Sequence, residues 1–268
     1  MVSTPTRTTP TKVTTSRVAA LSTKFPWATA ASLAVFLALW EIFGRLADYR
    51  ALPPVSEIYR TWLSFFQDGV LFAVLWESAK TFGMGIGLAI GAAVVVAVLM
   101  SLSRTVEQVI APYIDAGMSV PITATIPILM MVFGLGAATR VAVVFLYSFF
   151  IIVVSMQAGL KKVDPAHEQL AHAYAASPMQ TIMKITLPSA LPLAITGIRL
   201  GVSRGIRGMV NAEVIISTAG IGWLLMRSSR EFDIAGVWAV TGTIIAAALI
   251  VMGLVTLVER ALVRGGDR

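Results

Sequence analysis

Four polar residues stand inside a long apolar run, and their types limit the chemistry this chain can do. Arg204, Arg207, Asn211 and Glu213 all fall in GIRLGVSRGIRGMVNAEVIIS. Spacings of three and four place Arg204, Arg207 and Asn211 on one face of a helix, while Glu213 lies about half a turn from Arg204. Two guanidiniums on one face make a fork suited to carboxylate, sulfonate or phosphate groups. Charges at membrane depth face a bundle interior and either pair with another helix or serve a pathway. Both roles are open for Arg204 and Arg207. Arg199, nearer the start of the run, can snorkel to the membrane surface.

A second constellation lies in SVPITATIPIL, where Ser119, Thr123 and Thr125 surround Pro121 and Pro127, with Pro112 upstream. Pro121 denies the Gly117 carbonyl its helix hydrogen bond, and Pro127 does the same to Thr123. Carbonyls freed at membrane depth are tolerated only against protein or a water-filled cavity. Counting about 1.5 Å per residue from Val109, Pro121 sits roughly 18 Å in, near mid-bilayer. These residues either line a pathway or form a structural kink.

Other chemistries find no residues. The chain has no cysteine, which excludes disulfides and thiolates. His167 and His172 are five apart, off the spacing of a helical metal pair, and read as solvated loop residues; no metal site is expected. No GxxxxGK[ST] phosphate loop occurs, so the chain binds no cofactor itself, and any ATP and magnesium belong to a partner subunit. Gly83, Gly87 and Gly91 stand four apart in an apolar run, the small-residue stripe of close helix packing. No nucleophile–base or metal constellation stands at membrane depth, so the chain is not an enzyme.

The elements that must position these residues are membrane helices. Hydrophobic residues make up 57% of the chain and charged ones 13%, against about 25% charged in a soluble domain. The net charge of +7 is spread over loop ends, as around membrane helices and not as on a nucleic-acid surface. Six spans are predicted, at about 27–47, 81–100, 109–134, 141–160, 191–217 and 234–258. The fold class expected is all-α, a polytopic membrane bundle of six helices. Residues 1–26, basic and rich in Thr, Ser and Pro, form a disordered tail, and 27–268 form the membrane domain. Arginine and lysine placement puts both termini in the cytoplasm. Between the first two spans, LPPVSEIYRTWLSFF reads as a helix capped by Ser56. It lies on the outer interface with Trp62 and Phe65 as anchors, or is a plain loop helix.

The segment 161–190, KKVDPAHEQLAHAYAASPMQTIMKITLPSA, is a polar island among these spans. Asp164-Pro165 opens one helix that runs through Tyr174 and breaks near Ala176. Ser177-Pro178-Met179-Gln180 opens a second with a capping box, and Leu187-Pro188 ends it. The result is a two-helix knob fit for a soluble partner, or a loop packed back on its own bundle.

These residues carry a resemblance. The segment is similar to the coupling loop of binding-protein-dependent ABC importer permeases, in which EAA is followed by three residues, Gly, nine residues and I-x-L-P. Ile185-Thr186-Leu187-Pro188 matches the end of that pattern, Ala171 the second Ala, and Ala176-Ser177 the continuation. Gln169 stands for the Glu, Leu170 for the first Ala and Ala175 for the Gly, which leaves the charged contact with the ATPase open. The LPPVSEI, SVPITATIPIL and NAEV…GIGWLL segments resemble the branch that imports nitrate, sulfonates and taurine. The resemblance implies a type I importer permease, carrying a small anion, that pairs with a second copy of itself. It further implies two cytoplasmic ATPases on the knobs, an extracytoplasmic binding protein, and membrane lipid around the bundle. Gln169, Ala171, Tyr174, Ala175, Ala176, Ser177, Pro178, Leu187 and Pro188 are the coupling residues this implies. A stand-alone ion-gradient transporter or channel is the alternative; it would need intramembrane acids, of which Glu213 is nearly alone.

Overall fold

The structure, a computed structural model, describes residues 26–47, 51–161, 177–181, 184 and 187–264. The expected tail, and the expected helix from Asp164 to Tyr174 with Gln169, Ala171, Tyr174, Ala175 and Ala176, lie outside the described residues. Ten helices form among those described: α1 Pro26–Leu46, α2 Val55–Gln67, α3 Val70–Leu102, α4 Arg104–Ser119, α5 Ile122–Phe133, α6 Ala137–Leu160, α7 Pro178–Thr181, α8 Leu187–Ile216, α9 Ile221–Arg230 and α10 Ile234–Arg264. Four single helices (α1, α3, α6, α10) are long and apolar enough to cross a membrane, and two bent pairs, α4–α5 and α8–α9, bring the crossings to as many as six. The all-helical membrane architecture expected from composition is therefore present.

Close contacts divide the chain into two units, one ending at Ser56 and one beginning at Glu57. In the first, Pro26 opens α1, a position where its missing N–H costs nothing. The chain then folds back on the end of α1. Glu41 accepts the Ser56 backbone N–H at 2.9 Å and its hydroxyl at 2.8 Å, and Arg45 pairs with Glu41 at 2.6 Å. Ser56 was expected to cap α2. Instead α2 begins at Val55, and the Ser56 hydroxyl is spent on Glu41.

In the second unit, α2 carries a stacked row of Tyr59, Trp62 and Phe66. Trp62 and Phe65 pack on buried Leu71, Val74, Ile221, Leu224 and Val240, and Trp62 Nε1 donates to Thr243 Oγ1 at 3.1 Å. They face protein, whereas Tyr59 and Phe66 on the same helix are about 60% exposed. The helix α3 starts at Val70, eleven residues before the predicted span, and its 33 residues reach beyond the hydrocarbon core.

The packing stripe of α3 also differs from expectation. Gly85, Ala89, Ala93 and Ala97 are buried, while Gly83, Gly87 and Gly91 are exposed with nothing near them. Both rows repeat every four residues. The tertiary fold uses the row that puts Gly85 against Val144. The centre of the unit is α6 against α8, its most extensive helix contact. There Gly197, Gly201, Gly205 and Gly208 meet Ser155, Ile152, Ser148 and Tyr147 so closely that an added Cβ would fall within 2.7 Å of each. The Ser148 hydroxyl donates to the Gly201 carbonyl at 3.0 Å, and Gln157 Nε2 donates to the Ala97 carbonyl at 3.2 Å.

Two breaks shape the polar regions. The predicted third span is an elbow: α4 and α5 meet at 102° across Val120-Pro121. Pro121 supplies the break, whereas Pro127 stays inside α5. At the other break α8 and α9 meet at 45°. Leu187-Pro188, expected to end a helix, opens α8 instead; proline is harmless in a first turn, where N–H groups have no partner to lose.

Candidate translocation site

The outward face of α8 presents Arg204 and Arg207, both exposed, and half-buried Asn211. The elbow α4–α5 brings its hydroxyls toward this face. Asn211 Nδ2 donates to the Tyr147 hydroxyl at 3.2 Å, and that hydroxyl lies 2.6 Å from Thr123 Oγ1. One tyrosine on α6 thereby ties α5 to α8. Among the described residues the Arg204 guanidinium reaches Met118 Sδ, at 3.9 Å, a weak acceptor at the end of α4. Arg207 and Asn211 line a cavity of about 480 Å³ between α8 and α10, otherwise walled by Val210, Ile245, Leu249 and Met252 among others. Among the described residues neither Arg204 nor Arg207 has a carboxylate partner.

The rest of the predicted pathway divides. Pro121 and Thr123 are exposed at the elbow, and Ser119 is exposed at the end of α4 with its hydroxyl on the Asp115 carbonyl at 3.1 Å. Thr125 is half-buried and donates to the Ile122 carbonyl at 2.7 Å. Glu213 stands apart from them: it is fully buried on the far side of α8, where its carboxylate meets Ser78 and the start of α9. The half-turn offset from Arg204 accounts for the separation.

In the polar island, Ser177 and Gln180 form the expected capping box. The Ser177 N–H donates to Gln180 Oε1 at 3.0 Å, and the Gln180 N–H donates to Ser177 Oγ at 3.3 Å, at the start of α7 with Pro178 first in the helix. Leu187 and Pro188 lie in the first turn of α8. At the neighbouring end of α6, Lys161 pairs with Glu107 of α4. At the same end of the span, Arg199 pairs with Glu259 of α10 at 3.3 Å.

Sequence reasoning missed Tyr147, Ser78 and Arg140. Tyr147 carried a signal, because a phenol in the run VAVVFLYSFFIIVV needs a partner for its hydroxyl. Arg140 opens α6 and reads as a loop end, yet it is only 4% exposed.

The elbow, the polar face of α8 and the capped segment between spans stand in a bundle of membrane-length helices. Residues 83–264 match the family described as "Binding-protein-dependent transport system inner membrane component", and the chain belongs to that family. It is 29% identical over 218 residues to the taurine transport system permease protein TauC of Escherichia coli (strain K12), covering 75% of each chain. To the putative aliphatic sulfonates transport permease protein SsuC of the same strain it is 30% identical over 198 residues, covering 73% of this chain and 75% of the relative. Its fold matches a chain of an inward-facing structure of the MetNI methionine ABC transporter, with TM-score 0.62 and 16% identity, over 74% of this chain and 96% of that one. The chain is thus a membrane permease subunit of an ABC importer.

Proposed function

We propose that this permease carries a small anion of the sulfonate or nitrate kind along the α8 face that bears Arg204, Arg207 and Asn211, opposite the elbow with Ser119, Pro121, Thr123 and Thr125. The carrying observation is two exposed guanidiniums on a spanning helix with no carboxylate partner among the described residues. Such charges are too costly to leave facing lipid, so the face turns toward water or solute. Names of relatives that specify taurine and aliphatic sulfonates support an anionic head group. In a pair of copies facing each other, the two α8 faces line one path. Two cytoplasmic ATPases, which bind ATP and magnesium, grip the segment around α7, and a binding protein docks on the opposite side. The polar island, flanked by Lys161 and Arg199, faces the cytoplasm with both termini. ATP-driven closure of the ATPases moves the loops and opens the path outward.

The test is uptake and thermal stability measured on the same variants in the reconstituted importer. Arg207→Met should lower uptake of a sulfonate about tenfold or more, the loss of roughly 1.4 kcal/mol of contact, with assembly and basal ATP hydrolysis unchanged. Arg207→Lys keeps the charge but loses the fork, so it should also be impaired. Uptake and stability falling together would return these arginines to structure, and unchanged uptake in Arg207→Met would remove the anion site.

A further inference from the structure

Behind the polar face of α8 lies a second charge system. Glu213 is fully buried; its Oε2 accepts the Ser78 hydroxyl at 2.9 Å and the Gly222 N–H at 3.0 Å, while Ser78 Oγ accepts the Ile221 N–H at 2.9 Å. Those N–H groups are the first two of α9, so a carboxylate and a hydroxyl satisfy the donors that a helix start leaves over. The turn from α8 to α9 wraps this carboxylate. Ser217 (φ 50°) and Gly220 (φ 90°) are left-handed, and a Cβ on Gly220 would lie 2.2 Å from the Glu213 carboxyl carbon. Only glycine fits there.

Arg140, in the first turn of α6, is buried against the same region. Val143, one turn on, packs with Ala212 and Ile216, the α8 residues on either side of Glu213. Among the described residues Arg140 forms no salt bridge within 4.0 Å, and Glu77 of the adjoining α3 is already held by Lys80 at 2.7 Å. Nε and Nη1 of Arg140, Oε1 of Glu213 and Oγ of Ser217 are buried without hydrogen-bond partners. A lone buried charge is strongly destabilising, whereas opposite charges buried near each other offset one another. Arg204 and Arg207 point away and offer Glu213 nothing.

We propose that Arg140 is the counter-charge of Glu213 and that this buried pair, through Ser78 and the start of α9, fixes the rotation of α8 that turns Arg204, Arg207 and Asn211 outward. Both are positioning residues. The pairing itself stands whether or not those arginines hold solute; only its value to transport rests on the proposed pathway.

The test uses the full chain with its partner subunits and three variants: Arg140→Met, Glu213→Gln and the two combined. Glu213→Gln keeps an oxygen for Ser78 and Gly222 but strips Arg140 of its counter-charge. Each single variant should lose uptake about tenfold or more, or fail to accumulate in the membrane, while the combined variant should recover to within about threefold of the parent, the signature of a coupled pair. Simple capping or space-filling gives no such recovery. A combined variant no better than the worse single one, or parental uptake in Arg140→Met, overturns the proposal. All three variants keep Arg204 and Arg207, so this outcome is separate from that of Arg207→Met.

Discussion

Tyr147 joins three helices through one hydroxyl, with Thr123 on α5 and Asn211 on α8 as its partners. Hydrogen bonds between membrane helices contribute about 0.6 kcal/mol on average and ~1.7 at most. Tyr147→Phe should therefore lower stability by about 1 kcal/mol, a melting shift of a few degrees. It should cost more in uptake, because Thr123 and Asn211 then lose their common partner at the polar face. Equal uptake with a lowered melting point would make the tyrosine a structural tie only. At this scale the sequence spoke clearly about the arginines, since spacings of three and four define a face without any tertiary knowledge. It was silent on Arg140, whose burial depends on where α6 starts relative to α8. Grouping Glu213 with Asn211 followed their nearness in sequence, whereas its half-turn offset from Arg204 already separated it in space.

At the scale of elements, the two four-residue rows of α3 and the glycine row of α8 make opposite forecasts. A Cβ at Gly197 would lie 2.4 Å from Ser155 Cβ, whereas one at Gly83 meets nothing within 4 Å. Gly197→Ala should destabilise by about 1–3 kcal/mol through overpacking. Gly83→Ala should be neutral or stabilising by up to about 1 kcal/mol, the helix propensity gained over glycine. Thermal melts of the purified subunit check both, and equal effects would mean that the packing rows are assigned to the wrong face. Helix existence was legible from apolar length, and the Ser177–Gln180 capping box from residue type, because both are local. The elbow angle was not. Pro121 and Pro127 are chemically alike, but only Pro121 sits where α5 can leave α4 and pack on α6. Leu187-Pro188 was misplaced for a similar reason: a proline marks a helix boundary without saying on which side the helix lies.

At the scale of the molecule, the proposed path runs past the elbow, and the elbow carries its own test. Thr123 is exposed and Thr125 half-buried, and the native chain contains no cysteine, so single cysteines give a clean signal. Thr123→Cys should react with a water-soluble thiol reagent at a rate that changes when the importer is trapped with ATP, and Thr125→Cys should react more slowly. No reaction at either site in any trapped state would reduce the elbow to a bend with no solvent path. Membrane class and permease family were legible in the sequence, and the family match spans residues 83–264. The path itself was not, because it depends on which faces of α5, α6 and α8 meet.

The glycines of α8 against Ser155, Ile152, Ser148 and Tyr147 also constrain how such a machine moves. Side chains of one helix seated in the notches of the other mesh like a rack. Small sliding steps would drive each tooth into the wall of its notch, and the next seat is a full turn away, about 5.4 Å along the axis. Continuous shear between α6 and α8 is thereby closed off. The two helices are therefore expected to move as one rigid body, and the α8–α9 turn, held on Glu213 through Ser78 and Gly222, moves with them.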